Sequence, residues 1–496
     1  MTARQKEIPS TVLQDRCVGV LLGLAAGDAL GAGYEFGEPP AGEARMIGGG
    51  LGGWDPGEWT DDTQMALCIA EEAAEGRPDP LAVAARFLGW YRSGPSDVGN
   101  QIRAVLSASR QPEELADAAA RYFERHPDNA AGNGSLMRTA PVALAFVNDV
   151  EEGRDGRIAE VARTISSLTH ADPLAGDACV LWCIAIDRAL REGRLDGIDD
   201  GLGEISPERR ARWAAWIAEA REQPYTSFSG NGFVVRALQA ALAAIVQTER
   251  PEGPERGLHL REALQAAVSI GGDTDTVAAI AGALLGARYG STAVPPEWQL
   301  ALHGWPGYDA WDLSRLALCS ASGGRQSGWP EVDSMVEHYE EEIGGTLGPL
   351  AVECPGDPGV VLANLTGARE VQQDRRRRAE AVISLCRVGR RELEAEEWLQ
   401  VRLIDSGDPA QNPNLDLLLR DVAREVARLR SEGKRVVLHC VQAHSRTPTV
   451  AAAFLAERDG VSGHEAWRQV ADAIGEVYRN PVLHAALGRL WPEGAR

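Results

Sequence analysis

Two segments far apart in the chain place carboxylates and threonine hydroxyls immediately before apolar helical runs. They are 58-EWTDDTQMALCIAEE and 269-SIGGDTDTVAAIAGALLG. Helix capping is the plain explanation, since Asp and Thr are good N-caps. Capping needs one such residue, however, and each cluster carries two carboxylates with threonines beside them. Like charges packed this way repel or take up protons unless cations sit among them. An all-oxygen donor set suits Mg²⁺, Mn²⁺ or Ca²⁺ rather than Zn²⁺. From spacing alone, the metal and capping explanations stand about even. The turn in 132-GNGSLMRTAPVAL leads toward a helix, so its N–H groups can cradle a diphosphate; an ordinary capped turn is the alternative. The turn 94-GPSDVGNQI offers Asp97, and His170 lies at a helix end or loop in 166-SSLTHADP. A lone histidine is more often structural than catalytic. The Gly-rich 48-GGGLGGW precedes no Walker lysine and follows no strand, which removes a kinase or NTPase reading.

A second constellation lies in 436-VVLHCVQAHSRTPTVAAAFLAE, where Cys440 and Arg446 are spaced C-x5-R-T. A strand ends at the cysteine, a tight loop follows, and a helix begins near Thr447. That layout aims backbone N–H groups and a helix N-terminus at a phosphate-sized space, and Arg446 adds a bidentate fork. The same positive field favours Cys440 as a thiolate nucleophile. The plain alternative is a buried strand cysteine followed by a surface arginine.

The elements needed to position these groups divide the chain in two. Its 496 residues are a soft prior for two or three domains, and a 44% hydrophobic share provides ample core. Residues 10 to about 315 read as helices, with Ser10 capping the first, which runs to about Leu30. Gly19, Gly23, Gly27 and Gly31 form a stripe on it, matched by Gly282, Gly286 and Gly290 on a helix starting near Thr276. Each glycine costs a helix ~1 kcal/mol against alanine, so close crossing of the two flat faces must offset the stripe. Beyond about residue 350, the short apolar runs 360-VVLANL, 381-AVISLC, 398-WLQVRLI and 436-VVLHC alternate with helical stretches such as 415-LDLLLRDVAREVARLR. This alternation predicts an α/β domain with a mainly parallel sheet. The run Arg375 to Arg378 reads as a solvated helix face.

The net charge of -22 argues against bulk nucleic-acid binding. The run Val18 to Gly27 is too short to cross a bilayer, so no membrane association is expected. The polar N-terminus carries no signal-peptide pattern. The eight cysteines form no C-x-x-C pair or dense framework; Cys179 and Cys183 share one apolar helix. A reduced, cytoplasmic protein is expected.

The ordered motifs 23-GLAAGDALGAGYEF, 58-EWTDDTQMAL, 97-DVG, 132-GNGSLMR, 168-LTHAD and 271-GGDTDTVAAIAGALLGARYG, followed by 303-HGWPG, resemble the ADP-ribosylglycohydrolase family over roughly residues 10–318. The resemblance implies an all-α domain around two Mg²⁺ or Mn²⁺ ions. It carries metal-ligand roles to Thr60, Asp61, Asp62, Asp273, Asp275 and Thr276. Asp97 to Gly99 and Gly132, Asn133, Gly134 and Ser135 would hold the diphosphate and distal ribose, with His170 and Phe233 near the adenosine. Glu35 matches a glutamate that in some members touches metal or assists the reaction, so Glu35 or Asp62 would move the proton. The substrate would be an ADP-ribosylated protein or small molecule.

Residues 355–496 resemble the cysteine-dependent tyrosine and dual-specificity phosphatases. This implies Cys440 as nucleophile, Arg446 as phosphate binder, His439 tuning the thiolate, and Ser445 or Thr447 assisting breakdown of the phospho-enzyme. No cofactor is implied there, and the substrate would be phosphorylated. The acid would be Asp405, with Asp408 as alternate, both in 401-VRLIDSGDPAQNPN. Ala443 stands where the family commonly has glycine. The expected organisation is multidomain: an all-α ADP-ribosylglycohydrolase-like domain over 1–320, a linker or peripheral segment over 321–350, and an α/β phosphatase-like domain over 351–496. The competing reading makes one or both domains non-catalytic ADP-ribose or phosphate binders.

Overall fold

The computed structural model describes residues 10–324, 336–389 and 392–494. They form two compact units. The described residues of the first fall within Met1–Pro251, Leu258–Val294 and Ala301–Ser327; those of the second fall within Glu252–Gly257, Pro295–Leu300 and Gly328–Arg496.

The first unit is helical. Among the described residues its only strands are the two-residue pair His303–Gly304 and Tyr308–Asp309. At its centre, helices Ser10–Gly31 and Thr274–Tyr289 cross backbone to backbone. A Cβ on Gly19 would overlap the Gly286 carbonyl, one on Gly23 the Gly282 carbonyl, and one on Gly27 the Ala278 carbonyl. The overlap is reciprocal from Gly282 and Gly286. The matching stripes therefore do what their spacing predicts: they trade helix propensity for dispersion contact between main chains. One turn further along, Gly31 lies against the backbone of Thr274 and Asp275, so the crossing also brings Asp28 toward the second acidic cluster. The stretch Ser10–Tyr34 is long and apolar enough to span a bilayer, and 89% of its apolar window is buried within the protein.

The second unit contains a five-stranded sheet in the order Ala351–Cys354, Asp357–Ala363, Val436–His439, Ala381–Ser384, Glu397–Gln400. The first pair is antiparallel and the remaining pairs are parallel. Successive residues alternate between two buried faces. Leu362, Ile383 and Leu438 pack in one apolar layer with Leu419, Val422 and Phe454, which lie on helices Leu415–Ser431 and Arg446–Asp459. Val361, Val382 and Val437 pack in the other with Leu365 and Val371 of helix Leu365–Gln373. Burial on both faces is why these strands read as unbroken apolar runs.

The edge strand Ala351–Cys354 has no counterpart in the sequence reading. It is short, and its pairing depends on the turn at Pro355 and Gly356. Arg375 to Arg377 lie in a turn rather than on a helix face: Asp374 accepts from the Arg376 N–H (3.0 Å) and the helix stops at Gln373. Within the segment 321–350, helix Ala310–Ser322 ends on the left-handed Gly323, and helix Val336–Ile343 follows the undescribed residues. Tyr339 and Leu347 pack in an apolar layer of the second unit.

Candidate active sites

In the first unit, Asp28 is fully buried on the central helix. Its carboxylate accepts from the backbone N–H of Thr60 (3.0 Å) and of Thr63 (3.0 Å) and from the Thr63 hydroxyl (2.6 Å). These bonds pin the start of helix Asp61–Glu75 beside it. Thr60 caps that helix by accepting from the Asp62 N–H. Asp273 holds the equivalent position before helix Thr274–Tyr289, but its side chain makes no capping bond; it accepts from Asn133 Nδ2 (2.8 Å) instead. Capping thus accounts for Thr60 and leaves Asp61, Asp62, Asp273 and Asp275 without that explanation.

Carboxylate oxygens of Asp28, Asp62 and Asp275 lie within 4.8 Å of one another, and so do those of Glu35, Asp273 and Asp275. Asp275 belongs to both groups. Thr60 and Thr276 hydroxyls donate to Asp62 Oδ2 (3.1 and 3.3 Å), while Asp62 Oδ1 is buried with no hydrogen-bond partner. A buried carboxylate oxygen left alone is costly, so this donor set fits a hard divalent cation. The electrostatics agree. Burial, against the opposing bonds from Thr63 and Thr60, pushes Asp28 up to about 6. Burial and then the Asp273 and Asp97 charges push Glu35 up to about 8. Burial and then Asp97 push Asp61 up to about 8. Asp62 is raised well above the carboxylate range by burial and then the Asp28 and Asp61 charges, and Asp275 by burial and then the Asp62 and Glu35 charges.

Apart from Asp28, these carboxyl groups line a cleft of about 350 Å³. It gathers Glu35, Asp61, Asp62, Asp97, Asp273, Asp275 and Thr276 with Gly99, Gly132, Asn133, Gly134 and His170, and no lysine or arginine lines it. A Cβ on Gly132 or Gly134 would press against the His170 ring, so glycine here keeps the loop close to the imidazole. Thr169 Oγ1 accepts from Arg138 Nη2 (2.6 Å) and contacts His170 Nδ1 (2.8 Å). Burial and the Arg138 charge hold His170 down to about 3, so the ring is neutral.

Three expected residues stand outside the lining. Thr60 lies behind the cleft as the cap. Ser135 is buried, its Oγ accepting from Ser166 Oγ (2.9 Å). Phe233 pairs its backbone with Gly132 but leaves its ring 40% exposed; Gly232, one residue earlier, lines the cleft. The sequence reading assigned no role to Asp28 or to Gln101, whose buried Oε1 has no partner at the cleft. A carboxylate inside a Gly/Ala-rich core helix was the available signal for Asp28. Nothing in the sequence marks Gln101.

In the second unit, Cys440 leaves strand Val436–His439 and helix Arg446–Asp459 begins after the loop. Arg446 Nη1 donates to the Leu385 carbonyl (2.8 Å), while its buried Nε has no partner. Thr447 Oγ1 is likewise buried and unpartnered. Ser445 Oγ is committed to Asp405 Oδ1 (2.9 Å), which leaves Thr447 as the available hydroxyl and ties Asp405 to the loop. Asp408 instead caps a short turn, accepting from the Ala410 N–H (3.0 Å). His439 Nε2 contacts Ser384 Oγ (2.7 Å), which accepts from Trp398 Nε1 (3.0 Å). Burial, despite the Cys440 carbonyl, holds His439 down to about 4. Ala443 adopts φ 60°, the left-handed shape that glycine takes more easily.

Residues 9–327 match the family model described as ADP-ribosylglycohydrolase. The chain is 32% identical over 290 residues to the ADP-ribosylarginine hydrolase Tri1 of Pseudomonas putida (strain GB-1), spanning 57% of this chain and 73% of that protein. It is 30% identical over 295 residues to the ADP-ribosyl-[dinitrogen reductase] glycohydrolase of Rhodospirillum rubrum, spanning 58% of this chain and 90% of that protein. A solved structure of human DUSP28 aligns with 29% of this chain and 94% of its own, at 20% identity and a TM-score of 0.24.

Proposed function

Because the chain belongs to the ADP-ribosylglycohydrolase family, we propose that its first unit hydrolyses the glycosidic bond joining ADP-ribose to a modified target, with two Mg²⁺ or Mn²⁺ ions in its carboxylate cluster, and that its second unit is a cysteine-dependent phosphomonoesterase. The observation that carries the first reading is the cleft itself. It is lined by carboxylates, has no lysine or arginine, and leaves Asp62 Oδ1 buried without a partner. An anionic nucleotide sugar enters such a cleft only if cations neutralise it. Asp28, Asp62 and Asp275 would hold one ion and Glu35, Asp273 and Asp275 the other, with Thr60, Asp61 and Thr276 completing or supporting the set. Bound cations would supply charge neutralisation and Lewis-acid polarisation at the ribose. The Gly132–Gly134 loop and neutral His170 would orient the nucleotide, and a carboxyl group of Glu35 or Asp62 would move the proton as the glycosidic bond breaks.

For the second unit, the supporting observation is the pair of buried, unpartnered donors Arg446 Nε and Thr447 Oγ1 in the loop after Cys440. The Cys440 thiolate would attack phosphorus. The ester bond would break with its electron pair leaving on oxygen, which takes a proton from Asp405. Water would then attack the phosphocysteine, Asp405 accepting its proton, to release phosphate and regenerate the thiolate. A phosphate-binding module is the competing reading, favoured by the strained Ala443.

Mass spectrometry on a panel of ADP-ribosylated peptides, with excess Mg²⁺ or excess chelator, tests the first activity. The Pseudomonas relative's name makes an arginine linkage the first to try. Free ADP-ribose should appear with Mg²⁺ only; full hydrolysis in chelator would sink the metal reading. Vanadate-protected alkylation of Cys440, with turnover of an aryl phosphate, tests the second. Protection without turnover would favour the binding module.

A further inference from the structure

The segment Tyr478–Asn480, just before the last helix of the second unit, touches both loops of the proposed phosphatase site. The Tyr478 N–H donates to the His444 carbonyl in the phosphate loop (2.6 Å). Two residues later, Asn480 Nδ2 donates to Asp405 Oδ1 (2.8 Å) and to the Ser406 carbonyl (3.2 Å). Asn480 is 4% exposed, and its Oδ1 accepts from the N–H groups of Val482 and Leu483, capping helix Pro481–Leu490. Both polar ends of the amide are therefore used: one anchors it to a helix packed in the core, and the other holds the acid.

Asp405 needs such a holder. It is exposed, on a loop without regular structure, and among the described residues the only other hydrogen bond to its carboxylate comes from Ser445 Oγ (2.9 Å). The Ser445 and Asn480 bonds both fall on Oδ1, so Oδ2 is the oxygen that remains to carry a proton. A carboxyl group on a free loop samples many rotamers. Two donors arriving from different elements restrict it to one, which is what proton transfer at hydrogen-bond distance requires.

We propose that Asn480 is a positioning residue that fixes Asp405 against the phosphate loop, so that protonation of the leaving oxygen depends on it. This rests on the phosphatase reading of the second unit. Asn480 touches no reacting atom; it acts through Asp405. Its consequence is selective. An activated leaving group departs without proton help, whereas a basic one must be protonated as the P–O bond breaks.

The test compares 2,4-dinitrophenyl phosphate with phenyl phosphate on the full chain. Asn480→Ser and Asn480→Asp both keep an oxygen acceptor that caps the last helix. Ser is too short to bring a donor to Asp405, and Asp places a second carboxylate beside it. Asn480→Ser should lower kcat/KM, which reports only the step that expels the leaving group, by about 10-fold on phenyl phosphate, a fraction of the 10²–10⁴-fold that a general acid supplies, and by less than about 2-fold on the activated ester. Asn480→Asp should be worse on phenyl phosphate. In an Asp405→Asn background, Asn480→Ser should add nothing, because the group it positions is gone. Equal losses of kcat/KM on both esters, or the same loss with and without Asp405, would overturn the proposal in favour of a merely structural cap. Wild-type protein that turns over neither ester would overturn the phosphatase reading itself, and the positioning role with it.

Discussion

In the first unit, the converging carboxylates come from three helices that are distant in sequence: Asp28 on Ser10–Gly31, Asp62 on Asp61–Glu75 and Asp275 on Thr274–Tyr289. In the second, Cys440, Ser445, Arg446 and Thr447 belong to one loop and the helix start that follows it. The first arrangement concentrates negative charge in a buried cleft and depends on a precise helix crossing to do so. The second collects unpartnered donors and depends on local backbone shape, down to a non-glycine residue at φ 60°. A site gathered by tertiary packing is exposed to core substitutions far from the chemistry. A site gathered by a loop is exposed to changes within the loop and in what braces it.

Reciprocal knockouts should separate the two most sharply. Cys440→Ser should reduce phosphate-ester hydrolysis to background and leave ADP-ribosyl hydrolysis unchanged. Asp275→Asn, removing the carboxylate common to both groups, should cut ADP-ribose release about 100-fold or more and leave the aryl phosphatase rate alone. Chromatographic assay of both products on the same preparations checks this; a variant that abolishes both activities would break the comparison.

The crossing can be attacked next. Gly282→Ala puts a methyl group into the Gly23 carbonyl and should destabilise the first unit by about 1–3 kcal/mol. In a calorimetric scan the transition of the first unit should fall by several degrees while that of the second stays in place. Coincident shifts would show that the units melt together.

A pH series sharpens the electrostatic side. Unfolded carboxylates titrate near ~4, whereas folded Asp28 lies at about 6 and Glu35 and Asp61 at about 8. The fold favours their protonated forms. Their contribution is complete below pH ~4 and is lost as pH rises through 6 to 8. In chelator, the first unit should lose stability over that range, and Mg²⁺ should restore it by mass action. His439 in the second unit works the other way. Held down to about 4, it contributes fully above pH ~6.5 and loses that contribution as pH falls toward 4. Thermal melts at pH 6 and pH 8, with and without Mg²⁺, check the sign; no dependence on Mg²⁺ at pH 8 would count against the cation site.

The smallest effect belongs to Ala443→Gly. Relief of the left-handed strain, about 1–2 kcal/mol, opposes loss of a buried methyl at about 0.8 kcal/mol and the greater chain entropy of glycine. The net change should be near zero, against about 1 kcal/mol or more for Ala452→Gly inside the following helix. Denaturant titration of the two variants makes the comparison; equal losses would remove the strain argument.

Much of this was legible beforehand because it is local. Strand Val436–His439, the loop after it and the helix from Arg446 follow from apolar patterning and the C-x5-R spacing. Thr60 as a cap and the Gly19–Gly31 stripe follow from position and period. Their motifs point Phe233 and Ser135 to the cleft, whereas the structure leaves Phe233 40% exposed and Ser135 bonded to Ser166. In an extended stretch, neighbouring residues point to opposite sides, so a motif alone does not tell Gly232 from Phe233. Asn480 gave no signal, since an Asn-Pro at a helix start reads as a cap, which it also is.

By itself the sequence determined most of the helices and strands, the close approach of the two glycine faces, the membership of 9–327 in its family and the position of the loop from Cys440 to Arg446. Each of these depends on periodicity, on spacing within a few residues, or on an ordered set of motifs. Only the tertiary structure decided that Asp28 joins Asp62 and Asp275, that Ser445 is spent on Asp405 while Thr447 stays free, and that Asn480 reaches back to Asp405. Those choices concern which polar atom finds a partner among residues up to hundreds of positions away. Hydrogen bonding is settled by distances of a few tenths of an ångström, and no pattern along the chain encodes that.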